Sequence, residues 1–93
     1  MGYRSRTEIV CNILDAANVG GATKTKIMYT AFLSYAQLNE YFSILVKNNL
    51  IEYLDGTQTF KTTEKGLNYL IKYREIGELL QQQTTTIKND LLT

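Results

Sequence analysis

Four polar side chains stand close together in one short stretch of the sequence, at Tyr35, Gln37, Asn39 and Glu40. The amides of Gln and Asn can each form two hydrogen bonds with the edge of adenine, and a carboxylate can accept one from cytosine N4. A tyrosine can bond a phosphate through its hydroxyl group or contact the methyl group of thymine. These residue types therefore suit base-pair recognition, with Gln37 and Asn39 as our first choices for direct readout.

The apolar residues around this stretch predict the element that would carry it. They are Leu38, Phe42 and Leu45, with Tyr41 and Val46 at the margins. Spacings of three and four place them on one face of a helix, which we expect from Tyr35 to about Asn48. Ser34 can cap this helix by accepting a hydrogen bond from a free backbone N–H of its first turn. The polar side chains of its first turns would then be exposed.

A second helical pattern precedes this helix almost without a gap. Ile27, Met28 and Ala31 are apolar at helical spacing, and Thr23 can cap their helix. Only Leu33-Ser34 separates the two patterns. Helices joined so tightly must cross rather than run antiparallel, which is the helix-turn-helix arrangement. The second helix of such a pair reads base edges with residues near its N-terminus.

A β-hairpin is expected soon after the second helix. The segments Ile51–Leu54 and Thr57–Thr62 are rich in β-branched and aromatic residues, and Asp55-Gly56 between them is a preferred pair for a two-residue turn. Phe60 should point inward, and Ala22-Thr23 can add a very short strand. A hairpin in this position makes the arrangement a winged helix.

Before the helix pair, a basic arm over residues 1–6 leads into a first helix from Thr7. Its apolar positions are Ile9, Val10, Ile13, Leu14 and Ala17. Cys11 falls at the flank of this stripe. We interpret Cys11 as a small hydrophobic residue near the edge of the core, with an intermolecular disulfide as the alternative.

Basic and hydroxyl side chains around the helix pair suit contacts with phosphate. Lys24 and Lys26 fall in the first turn of a helix, where the positive end of the dipole disfavours cations, and a phosphate would relieve that repulsion. Both could equally be solvated surface lysines. The full set of predicted phosphate contacts is Arg4, Arg6, Lys24, Lys26, Ser34, Ser43, Lys47, Gln58 and Lys61.

Composition excludes several classes of function. The 93 residues suffice for one domain, and no apolar run approaches the roughly 18 residues of a membrane helix. With one Cys and no His, the sequence contains no metal-binding cluster and no nucleophile–histidine pair, so we expect no enzyme, no cofactor and no small-molecule substrate. Ten basic and nine acidic residues give a net charge of +1, far from the strongly basic balance typical of nucleic-acid binders. Residues 1–50 hold five basic and three acidic groups, which places any DNA-facing field in that half.

The last element is a long helix that Thr63 can cap and that runs from Glu64 through at least Gln83, or as far as Leu92. Leu67, Leu70 and Ile71 are predicted to cover the core. Beyond them an apolar seam recurs at spacings of three and four: Tyr73, Ile76, Leu80, Thr84, Ile87 and Leu91. A protruding seam must be buried, and a second copy of the chain is the simplest partner. A frayed tail after Leu80 is the alternative.

These residues resemble a family. The resemblance is carried by three segments: Thr25-x-Ile27-Met28-Tyr29-x-Ala31-x-Leu33-Ser34-Tyr35-x-Gln37-Leu38-x-x-Tyr41, then Leu50-Ile51, then Phe60-x-x-Thr63-Glu64-x-Gly66. The sequence is similar to the small archaeal winged-helix proteins, which are chromatin-associated DNA binders of thermoacidophiles. The central segment is specific, whereas the Thr-Glu-x-Gly step recurs in many winged-helix regulators.

The resemblance implies a mainly α fold with a small β-hairpin, a winged helix-turn-helix followed by a long C-terminal helix. It implies a homodimer through an antiparallel coiled coil of these helices, with a DNA-binding domain at residues 1–63 and a dimerisation helix at 64–93. It also implies that Tyr35, Gln37 and Asn39 face the major groove of double-stranded DNA, in a cytoplasmic, nucleoid-associated protein. An architectural binder and a specific regulator both stay open.

A protein-interaction module is the alternative function, because fold alone does not determine function. The near-neutral charge and the acidic Glu40 among the candidate base contacts favour it.

Overall fold

The computed structural model describes the backbone of residues 4–92 and the side chains of residues 4–79. Four helices and one hairpin follow each other along the chain. They are α1 (Arg6–Asn18), α2 (Lys24–Thr30), α3 (Tyr35–Lys47), β1 (Ile51–Leu54), β2 (Thr59–Thr62) and α4 (Glu64–Leu92).

Helix α1 begins one residue before the predicted start, because Ser5 and Glu8 form a capping box. The Ser5 hydroxyl accepts a hydrogen bond from the Glu8 N–H at 3.1 Å, and the Glu8 carboxylate accepts one from the Ser5 N–H at 3.3 Å. Arg6 therefore lies in the helix, and the prediction that it belongs to an arm was wrong. The helix ends at Asn18, after which Gly20 and Gly21 adopt φ values of +72° and +82°.

The core lies between α1, α2, α3 and the start of α4. Its fully buried large side chains are Ile13, Leu14, Ile27, Leu38, Leu45, Ile51 and Leu70. Cys11 belongs to this core with 6% of its surface exposed, whereas Ile9 and Val10 are only partly buried against it. Cys11 therefore lies deeper in the core than the flank of the apolar stripe, which is the position that the sequence indicated. Burial, followed by the charge of Asp15, raises the pKa of the Cys11 thiol.

The hairpin has a longer loop than expected. Leu54 pairs with Thr59, so four residues rather than two connect the strands, and β2 begins at Thr59 instead of Thr57. The left-handed residue is Gln58, with φ +54°, and not Gly56. The hydroxyl groups of Thr57 and Thr59 lie 2.6 Å apart across the end of the loop. A four-residue loop can also connect two twisted antiparallel strands, so the hairpin does not need the two-residue turn predicted at Asp55-Gly56.

Phe60 points inward, as predicted, and packs the hairpin against the helices. Its ring packs at a centroid distance of 4.7 Å and an interplanar angle of 67° against Phe42 of α3. Its backbone exchanges two hydrogen bonds with Ala22, at 2.8 and 2.9 Å, so the predicted third strand consists of one residue pair. Farther along β2, the buried Thr62 hydroxyl donates to the Leu14 carbonyl of α1 at 2.6 Å.

Helix α4 buries Leu70 in the core, as predicted, but the rest of its buried face differs from the prediction. Gly66 and Leu70 are buried and Tyr73 is half-buried, whereas Leu67 and Ile71 are 37% and 45% exposed. The prediction for Leu67 and Ile71 was wrong because the first turn of α4 approaches the backbone of Leu50 at Gly66. A methyl group on Gly66 would collide with the Leu50 carbonyl oxygen and lie 2.7 Å from Thr62 Cγ2.

These elements form a winged helix-turn-helix with an antiparallel two-stranded wing and a long last helix. The first turns of α4 complete the core, and an exposed ion pair between Arg74 and Asp15, at 2.6 Å, joins α4 to α1. The predicted domain boundary at residue 63 stays a prediction. The first turns of α4, which follow this boundary, pack into the same core as the elements before it. None of the helices within residues 4–92 has the length and apolar character needed to cross a membrane.

Candidate nucleic-acid interface

The joint between α2 and α3 is a Schellman turn, in which the residue after the helix end adopts a left-handed conformation. That residue is Phe32, with φ +54°. Its N–H donates to Tyr29 O at 3.3 Å, and the Leu33 N–H donates to Met28 O at 3.0 Å. Glycine is the usual residue here, because a left-handed conformation costs other residues about 1–2 kcal/mol. The short joint thus fixes the crossing of the two helices.

Arg4 reinforces this joint. Its guanidinium donates to the Ala31 carbonyl at 2.6 Å and to the Phe32 carbonyl at 2.9 Å. These carbonyls carry the partial negative charge of a helix C-terminus, which favours a cation. Arg4 was predicted to contact phosphate, but the structure commits its side chain to the protein backbone. Spacing along the chain gave no signal of this contact, which spans 27 residues.

The N-terminus of α3 carries a capping box that changes the interpretation of Gln37. The Ser34 hydroxyl accepts from the Gln37 N–H at 3.2 Å, as predicted. The Gln37 side-chain oxygen in turn accepts from the Ser34 N–H at 3.0 Å. The sequence contains the Ser-x-x-Gln signature of this box, from which the role of the Gln37 side chain in the cap could have been predicted. Two-point recognition of adenine needs both the oxygen and the nitrogen of the amide, and here the hydrogen bond from Ser34 holds the oxygen against the start of α3.

The exposed ridge of α3 consists of Ala36, Glu40, Ser43 and Lys47, all of them exposed. With about 100° per residue, these four lie within about 40° of the direction opposite the buried Leu38. Gln37 and Asn39 each lie about 100° from Leu38, on opposite flanks. Asn39 is half-buried, whereas Gln37 is exposed and Tyr35 is 63% exposed. Tyr41 is buried with the predicted stripe, but Val46 is 47% exposed.

Two cations lie on opposite flanks of α3. The Lys24 ammonium of α2 lies 5.2 Å from the ring centroid of Tyr35 and 5.6 Å from that of Phe42. The Arg6 guanidinium of α1 lies 5.8 Å from the ring centroid of Tyr41. Attraction to the ring faces restricts both cations to positions beside α3. Lys47 adds a third positive charge, exposed on the ridge itself, and the exposed Lys26 adds a fourth on α2.

The wing contributes less positive charge. Lys61 is exposed on β2 and stands directly across from Glu52 of β1, so the two charges offset each other. Gln58 is exposed at the loop. Lys65 was not predicted to act near α3, yet its ammonium donates to the Asn48 carbonyl at 2.9 Å and so stabilises the end of that helix.

Exposed aromatic side chains at the end of α2 were missed by sequence reasoning. Phe32 is 85% exposed and Tyr29 is 71% exposed. Phe32 lines a shallow groove between α1 and α2 together with Arg4, Asn12, Asp15, Ala16 and Thr30. The helical spacing of Ile27, Met28 and Ala31 indicates the buried face of α2, but a helix of seven residues is too short for this pattern to show which aromatic side chains at its end are exposed.

The described side chains include only two residues of the predicted dimer seam, Tyr73 and Ile76. Tyr73 packs against the core of the same chain, and Ile76 is 58% exposed. Leu79, which was not predicted, is also 58% exposed. The remaining predicted seam residues, Leu80, Thr84, Ile87 and Leu91, lie outside the residues whose side chains are described.

Comparisons with known proteins agree with this architecture. The model of the winged helix-turn-helix family matches residues 3–81. Two uncharacterized proteins of Methanocaldococcus jannaschii are similar to the chain. MJ0287 is 29% identical over 80 residues, which cover 86% of this chain and 80% of that protein. MJ0290 is 35% identical over 77 residues, which cover 83% of this chain but only 36% of the relative's length.

A solved structure shares the fold. The crystal structure of Sso10a-2, described as a DNA-binding protein from Sulfolobus solfataricus, superposes with a TM-score of 0.71 and covers 92% of each chain. The sequence identity of the pair is 22%, so this likeness concerns the fold.

Proposed function

This chain belongs to the winged helix-turn-helix family, and we propose that it binds double-stranded DNA by placing α3 in the major groove. The observation that carries the proposal is the exposed ridge of α3, with Lys24 and Arg6 restricted to its two flanks. A major groove about 12 Å wide admits one helix, and the phosphates lie along both of its walls. Cations on both flanks of an inserted helix would therefore meet both phosphate strands.

The shared fold with a protein described as DNA-binding supports the same proposal. We assign phosphate contacts to Arg6, Lys24 and Lys47, whose positive charges lie on or beside α3, and to the exposed Lys26 of α2. Ser43 on the ridge and Gln58 and Lys61 on the wing are further candidates from the predicted set. Arg4 and Ser34 act instead by holding the α2–α3 joint and the start of α3.

We further propose that the protein acts as a homodimer through α4. At about 1.5 Å per residue the 29-residue helix is about 43 Å long. Its packing against the core ends near Tyr73, and Ile76 on the continuation of the same stripe is 58% exposed. A second α4 lying along this stripe would remove it from water. An antiparallel arrangement is what the family resemblance implies.

Salt titration of DNA binding tests the phosphate contacts. The logarithm of the affinity for a duplex should fall linearly with the logarithm of salt concentration, with a slope of about −0.9 for each phosphate neutralised. Lys24→Gln and Lys47→Gln should each flatten the slope by about one such increment. Lys72→Gln is the matched control, because Lys72 is exposed on α4. Equal slopes for all four proteins would remove Lys24 and Lys47 from the interface.

Sedimentation tests the dimer. We expect twice the chain mass at micromolar concentration, and a monomer with weaker DNA affinity after truncation following Gly77. A full-length monomer under these conditions would rule out the proposed pairing of α4.

A protein-interaction module is the second candidate, because the exposed side of α3 also carries Glu40, Ile44 at 41% and Val46 at 47% exposure. Such a module would show no affinity for random duplex DNA at low salt, whereas a DNA-binding protein would.

A further inference from the structure

We propose that Glu40 sets the base preference of this protein, by accepting a hydrogen bond from cytosine N4 in the major groove. The protein would then select duplexes that present cytosine at one position rather than bind all sequences alike. This inference rests on the proposed function and adds the class of sequence that the α3 site recognises.

The position of Glu40 is the first support. It lies in the middle of the exposed ridge of α3, between Ala36 one turn before and Ser43 one turn after. A helix that enters a groove with its buried face turned away presents this ridge most directly to the bases. Among residues 4–79 the carboxylate of Glu40 forms no ion pair, so it needs no rearrangement to accept a new hydrogen bond.

The amide candidates are less well placed. The side-chain oxygen of Gln37 accepts from the Ser34 N–H at 3.0 Å, so turning this amide toward adenine for a two-point contact would break the Gln37 half of the capping box. Asn39 lies on a flank and is half-buried. Gln37 is therefore a positioning residue that keeps the start of α3 rigid, and Glu40 is the group that meets the bases.

The chemistry of a carboxylate makes this contact discriminating. An ionised carboxylate only accepts hydrogen bonds, and among the base edges of the major groove the amino groups of cytosine and adenine are the donors. Adenine places its N7 acceptor beside the amino group, and this acceptor repels a carboxylate. Every base pair carries one of these amino groups, but at a different place in the groove. A pair that holds its amino group out of reach of Glu40 leaves an unpaired charge close to phosphates, which is costly. The expected loss on replacing that cytosine is about fivefold to a hundredfold in affinity.

Selection from a randomised duplex library tests the inference. Wild-type protein should enrich cytosine at one position of the recovered sites, and Glu40→Gln should lose that enrichment, because glutamine offers both a donor and an acceptor. Glu75→Gln, which removes an exposed carboxylate from α4, is the charge-matched control and should select the same sites as wild type. A thermal melt checks that Glu40→Gln is folded, since an exposed substitution should leave stability nearly unchanged.

Affinity for unselected duplex distinguishes the two levels of the proposal. Removing the carboxylate should tighten this binding and weaken discrimination, so Glu40→Gln should bind selected and unselected duplexes with more similar affinity. Salt-dependent duplex binding with identical base enrichment for wild type and Glu40→Gln would overturn the role of Glu40 and leave the proposed function standing. Absence of duplex binding at low salt would overturn both.

Discussion

A methyl group added at Gly66 should destabilise the fold, although the same change usually stabilises a helix. Gly66 lies in the first turn of α4, and a Cβ atom there would collide with the Leu50 carbonyl oxygen and approach Thr62 Cγ2 to 2.7 Å. The Leu50 carbonyl accepts the Thr63 N–H at 3.1 Å, so a shift of this carbonyl also disturbs the cap region of α4.

The magnitude follows from opposing terms. Overpacking of this kind costs about 1–3 kcal/mol, and the upper part of that range applies because the obstacle is backbone. Weakening the Thr63–Leu50 hydrogen bond adds about 1 kcal/mol. The better helix propensity of alanine returns about 1 kcal/mol. We therefore expect Gly66→Ala to lower the free energy of unfolding by about 2–3 kcal/mol, with a fall in Tm of at least about 8 °C for a domain of this size.

Gly77→Ala is the matched control in the same helix. A Cβ atom at Gly77 would have no neighbour within 4 Å, so only the propensity term remains, and stability should rise by up to about 1 kcal/mol. Both variants should be melted by circular dichroism at one protein concentration, because the proposed dimerisation would make Tm concentration-dependent. Stabilisation by Gly66→Ala, or equal effects of the two substitutions, would refute the close packing of α4 against Leu50.

Two further predictions concern Phe32 and Cys11. Phe32→Gly should raise the free energy of unfolding by about 0.5–1 kcal/mol in urea titrations, because it relieves the left-handed conformation of a side chain that is 85% exposed. A loss of stability would contradict the Schellman turn. The Cys11 thiol should react slowly with a disulfide reagent at neutral pH and rapidly in denaturant, because burial and the nearby Asp15 raise its pKa and keep it neutral. Rapid reaction of the native protein would place Cys11 outside the core.

The raised pKa also predicts how Cys11 affects stability at high pH. The folded state favours the protonated thiol. The contribution of this thiol to the free energy of unfolding is therefore complete below its ordinary pKa of 9.0, and it is lost as the pH rises through the higher pKa of the folded state. Cys11→Ala should therefore flatten the alkaline part of a stability–pH curve relative to wild type.

Local signals in the sequence predicted the four helices and the starts of α2, α3 and α4. Thr23, Ser34 and Thr63 each accept a hydrogen bond from the third residue after them, at 3.0–3.2 Å. These caps depend on residues three positions apart, so the chain itself contains the whole signal. The left-handed Asn49, with φ +60° after α3, is local in the same sense, because asparagine tolerates this conformation.

Contacts between distant residues could not be predicted in the same way. The bond from Arg4 to Ala31 crosses 27 residues, and nothing in the sequence near Arg4 marks a helix C-terminus as its partner. The face that α4 buries was misjudged for a related reason. Leu67 and Ile71 are more apolar than Gly66, but close approach to Leu50 requires the residue without a side chain. At this backbone contact, the fit of the residue therefore decides more than its hydrophobicity which side of α4 is buried.

In the candidate site, the sequence indicated the exposed helix but not the roles along it. Gln37 and Asn39 were predicted ahead of Glu40 because amides near the start of α3 can form two hydrogen bonds with adenine. The structure shows that Gln37 caps the helix and that Asn39 is half-buried on a flank. Which residues contact DNA stays a prediction until binding is measured.

Chemical-shift mapping with isotope-labelled protein tests the central claim most directly. Addition of a short random duplex at low salt should shift the backbone amides of α3, above all those of Ala36, Glu40 and Ser43, and the side-chain signals of Lys24 and Arg6. The amides lining the groove at Asn12 and Phe32 should move little. Shifts concentrated at that groove, or no shifts at all, would contradict the assignment of α3 as the DNA-binding surface.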